Sequence, residues 1–284
     1  MTNILRLAFK VSRVRFWLYL GGTYLIGYII AISAISELID LFFIVHLFFF
    51  MLPANIILYG INDISDKDTD FFNPKKGDKE YKVLDSDATK LYILVGVSLA
   101  FCLSLVVWQA DVMASILFLS WLVLSIAYSV EPIRFKARPV VDFASNFLYV
   151  IPAILAFYQV RLAFPPLLPL FAAFLWTSAM QLFSAIPDIE ADKKANIKTT
   201  AVAIGEKASL LLCFVFWSGF AGILILVTQW NSPWNLMMLM YPAIPLYILI
   251  RPSADIARLY WYFPYYTAIF GIVLFFSVGL PLLW

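Results

Sequence analysis

The residues of this sequence that are best suited to chemistry form two clusters of carboxylates. One lies in the segment NDISDKDTD (62–70), where Asp63, Asp66 and Asp70 share one face if a helix continues through the segment. The other lies in DIEAD (188–192), whose two aspartates are i, i+4 neighbours. Proteins bind Mg²⁺ through one or two carboxylates while substrate phosphates supply further oxygens. The clusters therefore predict a site for Mg²⁺ and a diphosphate ester.

Polar side chains extend both clusters into apolar segments. Asn55 and Asn62 precede the acids of the first cluster, and Gln181 lies two turns before the second. Asp142 and Asn146, one turn apart, form a third polar face. Buried amides and carboxylates are costly unless they face a cavity or a partner. This pattern favours substrate binding. The alternative is that the acids are solvated and the amides join neighbouring helices.

Lysine and arginine residues flank the acidic clusters and one further connection. Such groups could bind the phosphate oxygens of the same substrate through charge-assisted hydrogen bonds. Each of them could also serve only to orient the chain in a membrane. The residues are Lys67, Lys75, Lys76, Arg134, Lys136, Arg138, Lys193, Lys194 and Lys198.

The composition places these clusters in a membrane protein. The 284 residues are 63% hydrophobic and 13% charged, whereas soluble domains carry about 25% charged residues. Cys102 and Cys213 lie within apolar runs, so we expect buried thiols and no disulfide framework. The net charge of +2 does not indicate a nucleic-acid partner.

Nine apolar runs are candidates for helices that cross a bilayer, which requires about 20 mostly apolar residues each. No linker or shift in composition divides the chain. The prediction is an all-α, polytopic membrane bundle that forms a single domain over residues 1–284. The runs cover residues 16–35, 38–60, 91–110, 112–130, 140–160, 164–186, 208–228, 233–250 and 262–284.

The distribution of positive charge predicts the orientation of the chain. Of the 20 lysine and arginine residues, all except Arg161 fall in segments on one side of the nine runs. Loops rich in lysine and arginine stay in the cytoplasm. We therefore expect a cytoplasmic N-terminus, an external C-terminus and an active site near the cytoplasmic face of the cell membrane.

Three motifs resemble those of the UbiA superfamily of intramembrane prenyltransferases. NDISDKDTD is similar to the family's NDxxDxxxD, and DIEAD is similar to its DxxxD. YSVEPIRFK (128–136) is similar to the family's Tyr-Ser…Pro…Arg-x-Lys loop. The resemblance implies a helical bundle around a central cavity and two Mg²⁺ ions bridged by substrate diphosphate. It also implies transfer of an isoprenyl group from an allylic diphosphate to a lipophilic acceptor.

The same resemblance implies roles for individual residues. One metal ion would be held by Asn62, Asp63, Asp66 and Asp70. The other would be held by Asp188 and Asp192. The diphosphate would be bound by Arg134, Lys136 and Lys193, with Arg13 and Arg15 as further candidates. Tyr128 would lie near the ester oxygen of the diphosphate.

Longer strings look like the lycopene elongase branch of this superfamily, which prenylates a carotenoid. They are SRVRFWLYLGG (12–22), NDISDKDTDFFNPKK (62–76), RPVVDFASN (138–146) and FSAIPDIEADKKANIKTT (183–200). Val14 and Thr23 depart from the prolines expected in that branch. The resemblance implies dimethylallyl diphosphate as the donor and lycopene or a related acyclic carotenoid as the acceptor.

Two other interpretations remain open. Within the same enzyme class, the acceptor could be an aromatic quinone precursor or a glycerol-type lipid. In a different class, a secondary transporter would also combine many membrane helices with acidic groups. Transport sites usually lie near the middle of the bilayer, where His46 is the one candidate in the sequence.

Overall fold

The computed structural model describes residues 3–67, 81, 83–228 and 233–279. Every regular element in this part of the chain is helical, and it contains no strand. The chain divides into two compact units. The first comprises Met1–Arg134 and Ile151–Leu162, and the second comprises Phe135–Val150 and Ala163–Trp284. The single domain expected from the sequence stays a prediction.

Polar side chains cap several of the helices at their N-termini. Asn3, Asp40 and Asp111 accept hydrogen bonds from the first turns of α1, α3 and α6 at 3.1, 2.7 and 2.8 Å, which satisfies backbone donors that have no partner within the helix. In chain order the α-helices are α1 Ile4–Val11, α2 Thr23–Ala31, α3 Leu41–Met51, α4 Pro53–Ser65, α5 Ala88–Trp108, α6 Val112–Ser129, α7 Val141–Ala144, α8 Ile151–Arg161, α9 Leu167–Ala185, α10 Ile189–Lys194, α11 Thr200–Val227, α12 Met240–Ile250 and α13 Ile256–Gly279.

Eight helical stretches of the described residues are long and apolar enough to cross a membrane. A shorter apolar stretch, Asn235–Ile250, covers the eighth predicted run. The all-α membrane class is confirmed, and the count is close to the nine predicted runs. The eight stretches are Val14–Ala31, Leu41–Ser65, Asp85–Trp108, Val112–Ser129, Val141–Arg161, Leu167–Lys194, Thr200–Val227 and Ile256–Ser277.

The second predicted run is divided into α3 and α4 by a break at Leu52 and Pro53. Proline has no N–H group and cannot continue the hydrogen-bond ladder of α3. The Nδ2 atom of Asn55 donates to the carbonyl oxygens of Phe50 and Met51 at 2.9 and 2.8 Å, so the side chain stabilises the break. Beyond the break, α4 carries Asn62 and Asp63 of the first acidic motif and ends at Ser65, so Asp66 lies after the helix and not on it.

Close helix contacts position the acidic end of α4 in the first unit. A Cβ atom on Gly60 would lie only 2.7 Å from Cγ2 of Val95, which is too close for a normal contact. Because glycine has no side chain, α4 and α5 can pack this closely at Gly60. Leu7 and Val11 of α1 belong to the same buried cluster as Leu91 and Val95 of α5. These contacts hold α1 and α4 side by side where the motif begins.

In the second unit, α9 packs along α11. The Cys213 thiol donates to the carbonyl oxygen of Ala179 at 3.5 Å, and the rings of Phe183 and Trp217 lie 5.6 Å apart. Cys102 and Cys213 are both buried free thiols, as the sequence predicted. Residues 186–188 form a single 3-10 turn between α9 and α10, and this turn ends at Asp188, the first residue of the second acidic motif.

Candidate active site

Asp63 forms an ion pair with Arg13 at the end of α4. The Nη2 atom of Arg13 lies 2.8 Å from Oδ1 of Asp63, and the carboxylate is completely buried. Arg13 follows α1 with φ of 49°, a left-handed conformation that is rare for a residue with a side chain. Its guanidinium also lies over the Tyr59 ring at 4.7 Å. The sequence placed Asp63 at a metal and Arg13 at the substrate; the structure brings the two into direct contact.

Asp66 forms a second ion pair, with Arg134. Nη2 of Arg134 lies 3.1 Å from Oδ1 of Asp66, and Nη1 lies 2.9 Å from the exposed Glu131. Arg134 has φ of 39° and lies on the connection that follows α6. Arg13 and Arg134 are therefore both held in left-handed backbone, which costs about 1–3 kcal/mol at each residue and is typical of functional sites.

Asn62 lies between these pairs and the end of α6. Its Oδ1 atom accepts a hydrogen bond from Ser129 at 3.1 Å. Tyr128, the residue predicted to lie near the ester oxygen, is the neighbour of Ser129 at the end of α6 and is half-buried. The NDISD and YSVEPIR segments of the first unit are therefore in contact, although 67 residues separate Asn62 from Ser129.

The donor set of the first motif fits a hard cation. Asp63 lies in the last turn of α4, and Asp66 follows directly after the helix. Both offer carboxylate oxygens, which Mg²⁺ prefers, and two carboxylates are what this ion requires when a substrate supplies the other oxygens. Asp70 lies outside the described residues. Within those residues, no group of three or more His, Cys, Asp or Glu is assembled.

Tyr81 lies near the first motif and was not predicted from the sequence. Its hydroxyl donates to Oδ2 of Asp87 at 3.4 Å. Partial burial raises the pKa of the Tyr81 hydroxyl, and the negative charges of Asp87 and Asp63 raise it further. Tyr81 is therefore a neutral donor within electrostatic reach of Asp63. Asp87 is itself buried, with Nζ of Lys90 3.6 Å away.

In the second unit, the second acidic motif begins where a 3-10 turn passes into the α-helix α10. The 3-10 turn contains Pro187 and ends at Asp188. Asp188 is also the N-cap residue of α10. Asp192 follows one turn later, and its Oδ2 atom accepts a hydrogen bond from Thr199 at 3.4 Å. The backbone carbonyl of Asp192 accepts from Ile197 at 2.8 Å, which folds the end of the motif back toward α11.

Asp142 was predicted to bind substrate, and the structure places its carboxylate on the start of α11. Oδ2 of Asp142 accepts from the Thr200 backbone N–H at 2.6 Å, and Oδ1 accepts from the Thr200 hydroxyl and from the backbone N–H of Phe143. The Thr200 hydroxyl in turn accepts from the Val140 N–H at 2.7 Å. Asn146 donates to the Asp142 carbonyl at 2.8 Å. Asp142 therefore joins α7 to α11.

The remaining predicted residues lie at several places. Asn55 is at the break between α3 and α4. Lys136 is half-buried on the turn that precedes α7, and Gln181 is half-buried on α9. Lys193 is exposed and pairs with Glu190 at 2.8 Å. The first unit thus pairs Arg13 with Asp63 and Arg134 with Asp66, and it joins Asn62 to Ser129, the chain neighbour of Tyr128.

Several contact residues were missed at the level of sequence. Thr199 and Thr200 precede the apolar run of α11, which is the usual position of a helix cap, so a capping signal could have found them. Ser129 and Glu131 belong to the YSVEPIRFK motif but were given no role. No sequence signal indicates Tyr81, because its contacts depend on the packing of the segment that follows the first motif.

The sequence model of the UbiA prenyltransferase family matches residues 20–255, which include both acidic motifs. The chain belongs to this family. A UbiA-family prenyltransferase with these helices is an enzyme of the membrane, and it crosses the membrane several times.

Two relatives of this prenyltransferase come from haloarchaea. A Halobacterium salinarum protein named lycopene elongase/hydratase is 39% identical over 275 residues, which are 96% of each chain. A Haloferax volcanii protein of the same name is 36% identical and covers 93% of this chain and 85% of its own. A solved UbiA homolog from Archaeoglobus fulgidus, bound to DMAPP and Mg²⁺, is 21% identical, covers 96% and 99% of the two chains and has a TM-score of 0.70. This last similarity supports the fold.

Proposed function

We propose that this prenyltransferase transfers the isoprenyl group of dimethylallyl diphosphate to the end of lycopene or a related acyclic carotenoid, in a reaction that requires Mg²⁺. The donor is supported by the Archaeoglobus homolog that binds DMAPP and Mg²⁺. The acceptor is supported by the relatives named lycopene elongase/hydratase, which align with almost the whole chain.

The observation that carries the reaction class is the pairing of buried motif aspartates with arginines. The Asp63–Arg13 and Asp66–Arg134 pairs contain two carboxylates and two guanidinium groups, all of which have little access to water. Carboxylates suit a divalent ion and guanidinium groups suit phosphate oxygens. A site that must hold a metal diphosphate needs both kinds of group.

The proposed roles follow the charges. Asn62, Asp63, Asp66 and Asp70 would hold one Mg²⁺ ion, and Asp188 and Asp192 would hold a second ion. Bound Mg²⁺ would stabilise the negative charge that develops on the leaving diphosphate. The diphosphate oxygens would be bound by Arg13, Arg134 and Lys136. Lys193 is left out of this set because it is exposed and pairs with Glu190. Tyr128 would lie at the ester oxygen, and the polar side chains of Asn55, Asp142, Asn146 and Gln181 are proposed as substrate contacts or supports.

The chemical step breaks the C–O bond of the allylic ester and forms a C–C bond. The diphosphate leaves with the electron pair, and the allylic carbon is attacked by the terminal double bond of the acceptor. This leaves a carbocation on the acceptor, which then loses a proton to water or, if transfer is coupled to hydration, binds a water molecule that releases a proton to a second water and leaves a hydroxyl group. The allylic cation must not meet water before the acceptor, which requires an apolar pocket. Apart from Asp40 at the outer end of the second run, the outer halves of the apolar runs contain no Asp, Glu, Lys or Arg and would suit a polyene.

The test is a direct comparison of acceptors. Membranes that contain the protein receive dimethylallyl diphosphate and Mg²⁺ with lycopene, 4-hydroxybenzoate or dihydroxynaphthoate in parallel, and the products are identified by mass. We expect a prenylated carotenoid, and its mass also reports whether water is added. Prenylation of an aromatic acceptor with lycopene unchanged would contradict the carotenoid assignment and leave the enzyme class intact.

We also propose that the reaction takes place at the cytoplasmic face. Lysine and arginine residues lie almost entirely in the segments assigned to that face, and both acidic motifs lie in the same segments. Tags placed at residues 1 and 284 should report the cytoplasm and the outside of the cell respectively. Two tags on the same side would contradict this orientation.

A further inference from the structure

Two arginines already occupy the carboxylates that the proposed function gives to a metal. Arg13 lies 2.8 Å from Oδ1 of Asp63, and Arg134 lies 3.1 Å from Oδ1 of Asp66. The exposed fractions of the Asp63 and Asp66 side chains are 0% and 12%, so water compensates little of their charge. A buried carboxylate that loses its counter-ion is strongly destabilising. Without a metal, the site therefore depends on these arginines.

A guanidinium group and a divalent ion compete for the same carboxylate. A guanidinium is also the side chain best matched to phosphate oxygens, which it binds with two parallel hydrogen bonds. If a metal took Asp63 while no phosphate was present, the guanidinium of Arg13 would lose the carboxylate that lies 2.8 Å from it. If diphosphate arrives together with the metal, each charge gains a new partner.

The position of both arginines suits such an exchange. Each lies on a short connection outside the regular helices, Arg13 after α1 and Arg134 after α6, so its side chain can turn without displacing a helix. The Nε atom of Arg134 is buried and has no hydrogen-bond partner among the described residues. It is a donor that an anion could use.

We infer that Arg13 and Arg134 are exchangeable counter-ions that hold Asp63 and Asp66 before substrate binds and pass to the diphosphate when the metal takes the carboxylates. This inference rests on the proposed function. Its consequence is that the first motif binds a divalent ion weakly by itself and tightly only with diphosphate. Binding linkage requires that each ligand raises the affinity of the other by the same factor, typically about 5–150-fold.

The experiment measures Mn²⁺ binding to the full-length protein in lipid nanodiscs without any diphosphate. The electron paramagnetic resonance signal of free Mn²⁺ reports the unbound ion. Arg13→Gln and Arg134→Gln should each increase the affinity for Mn²⁺ on the order of tenfold, because the competing charge is gone. Lys10→Gln is the matched control. It removes one positive charge from an exposed position of α1, so we expect wild-type affinity.

Thermal unfolding provides the second readout. Without metal, Arg13→Gln should lower the unfolding midpoint, and Mn²⁺ should restore it more than it raises the wild-type midpoint. Arg13→Lys keeps a charge at the same position and should retain weak Mn²⁺ binding. It serves as the folded reference if Arg13→Gln cannot be purified, in which case Arg134→Gln carries the affinity measurement.

Two results would overturn the exchange. In the first, neither glutamine variant binds Mn²⁺ more tightly than the wild type. In the second, Lys10→Gln gains as much affinity as they do, which would make the effect one of overall charge. Because the measurement uses no donor or acceptor, its failure is distinct from a failure to prenylate lycopene.

Discussion

Asp63 in the first unit and Asp142 in the second are both almost completely buried, yet their charges are compensated in different ways. Asp63 pairs with the guanidinium of Arg13. Asp142 accepts hydrogen bonds from Thr200 and Phe143, which are neutral donors close to it in the fold. A charged partner on a short connection can be exchanged for a metal, whereas backbone N–H groups that begin a helix cannot leave. The comparison favours a chemical role for Asp63 and a role in supporting the fold for Asp142.

The largest expected effect is the loss of a metal-binding carboxylate. Asp63→Asn or Asp188→Asn should reduce turnover by about 10²–10³-fold or more, because the charge that develops on the diphosphate is no longer stabilised. The protein should still insert into the membrane. Product formation per amount of inserted protein is the measurement. Asp255→Asn, which alters a helix cap in the second unit, is the matched control and should remain active. Nearly full activity in both motif variants would mean that these aspartates are only solvated and do not bind a metal.

Asp142→Ala should act mainly on stability. Removing the carboxylate leaves buried donors of Thr200 and Phe143 without partners, at a cost of about 1–3 kcal/mol each. The midpoint of thermal unfolding in detergent should fall, while turnover per folded molecule changes far less than in Asp63→Asn. An inactive Asp142→Asn variant with unchanged stability would break the comparison and return Asp142 to the substrate-binding role that the sequence suggested.

Thr199→Ala tests the neighbouring cap. The Thr199 hydroxyl accepts from the Val202 N–H at 3.2 Å and donates to Asp192 at 3.4 Å. Loss of a threonine cap costs about 1 kcal/mol, so we expect a modest fall in unfolding temperature. Thr199→Ser should restore it. If the alanine variant unfolds normally but loses Mg²⁺-dependent activity, the hydroxyl serves mainly to orient Asp192.

Lys193→Gln should have the smallest effect. Lys193 and Glu190 are both exposed, and exposed ion pairs on a helix contribute little. We expect kcat/KM to change by less than about twofold. A decrease of more than tenfold would mean that Lys193 leaves Glu190 and binds the diphosphate, as the resemblance implied. Lys194→Gln, on the same helix, provides the comparison for a general loss of positive charge.

The sequence predicted the fold class because composition and the length of apolar runs depend on the bilayer and on no particular contact. The helix count came out close for the same reason. The break between α3 and α4 was not predicted, although Pro53 indicates it, because the surrounding run is continuously apolar. The helix assumed to continue through the first motif ends at Ser65, so Asp66 lies after the helix and not on it.

For the site, the sequence by itself determined which residue types were available and in what order. The two aspartate motifs, the YSVEPIRFK segment and the resemblance to one family were all readable from the chain. It could not determine their partners. Asp63 is 50 residues from Arg13, and Asp66 is 68 residues from Arg134. Only the tertiary structure decided which arginine meets which aspartate, and that Asp142 joins Thr200, because these pairings depend on how separate helices pack and which charges that packing removes from water.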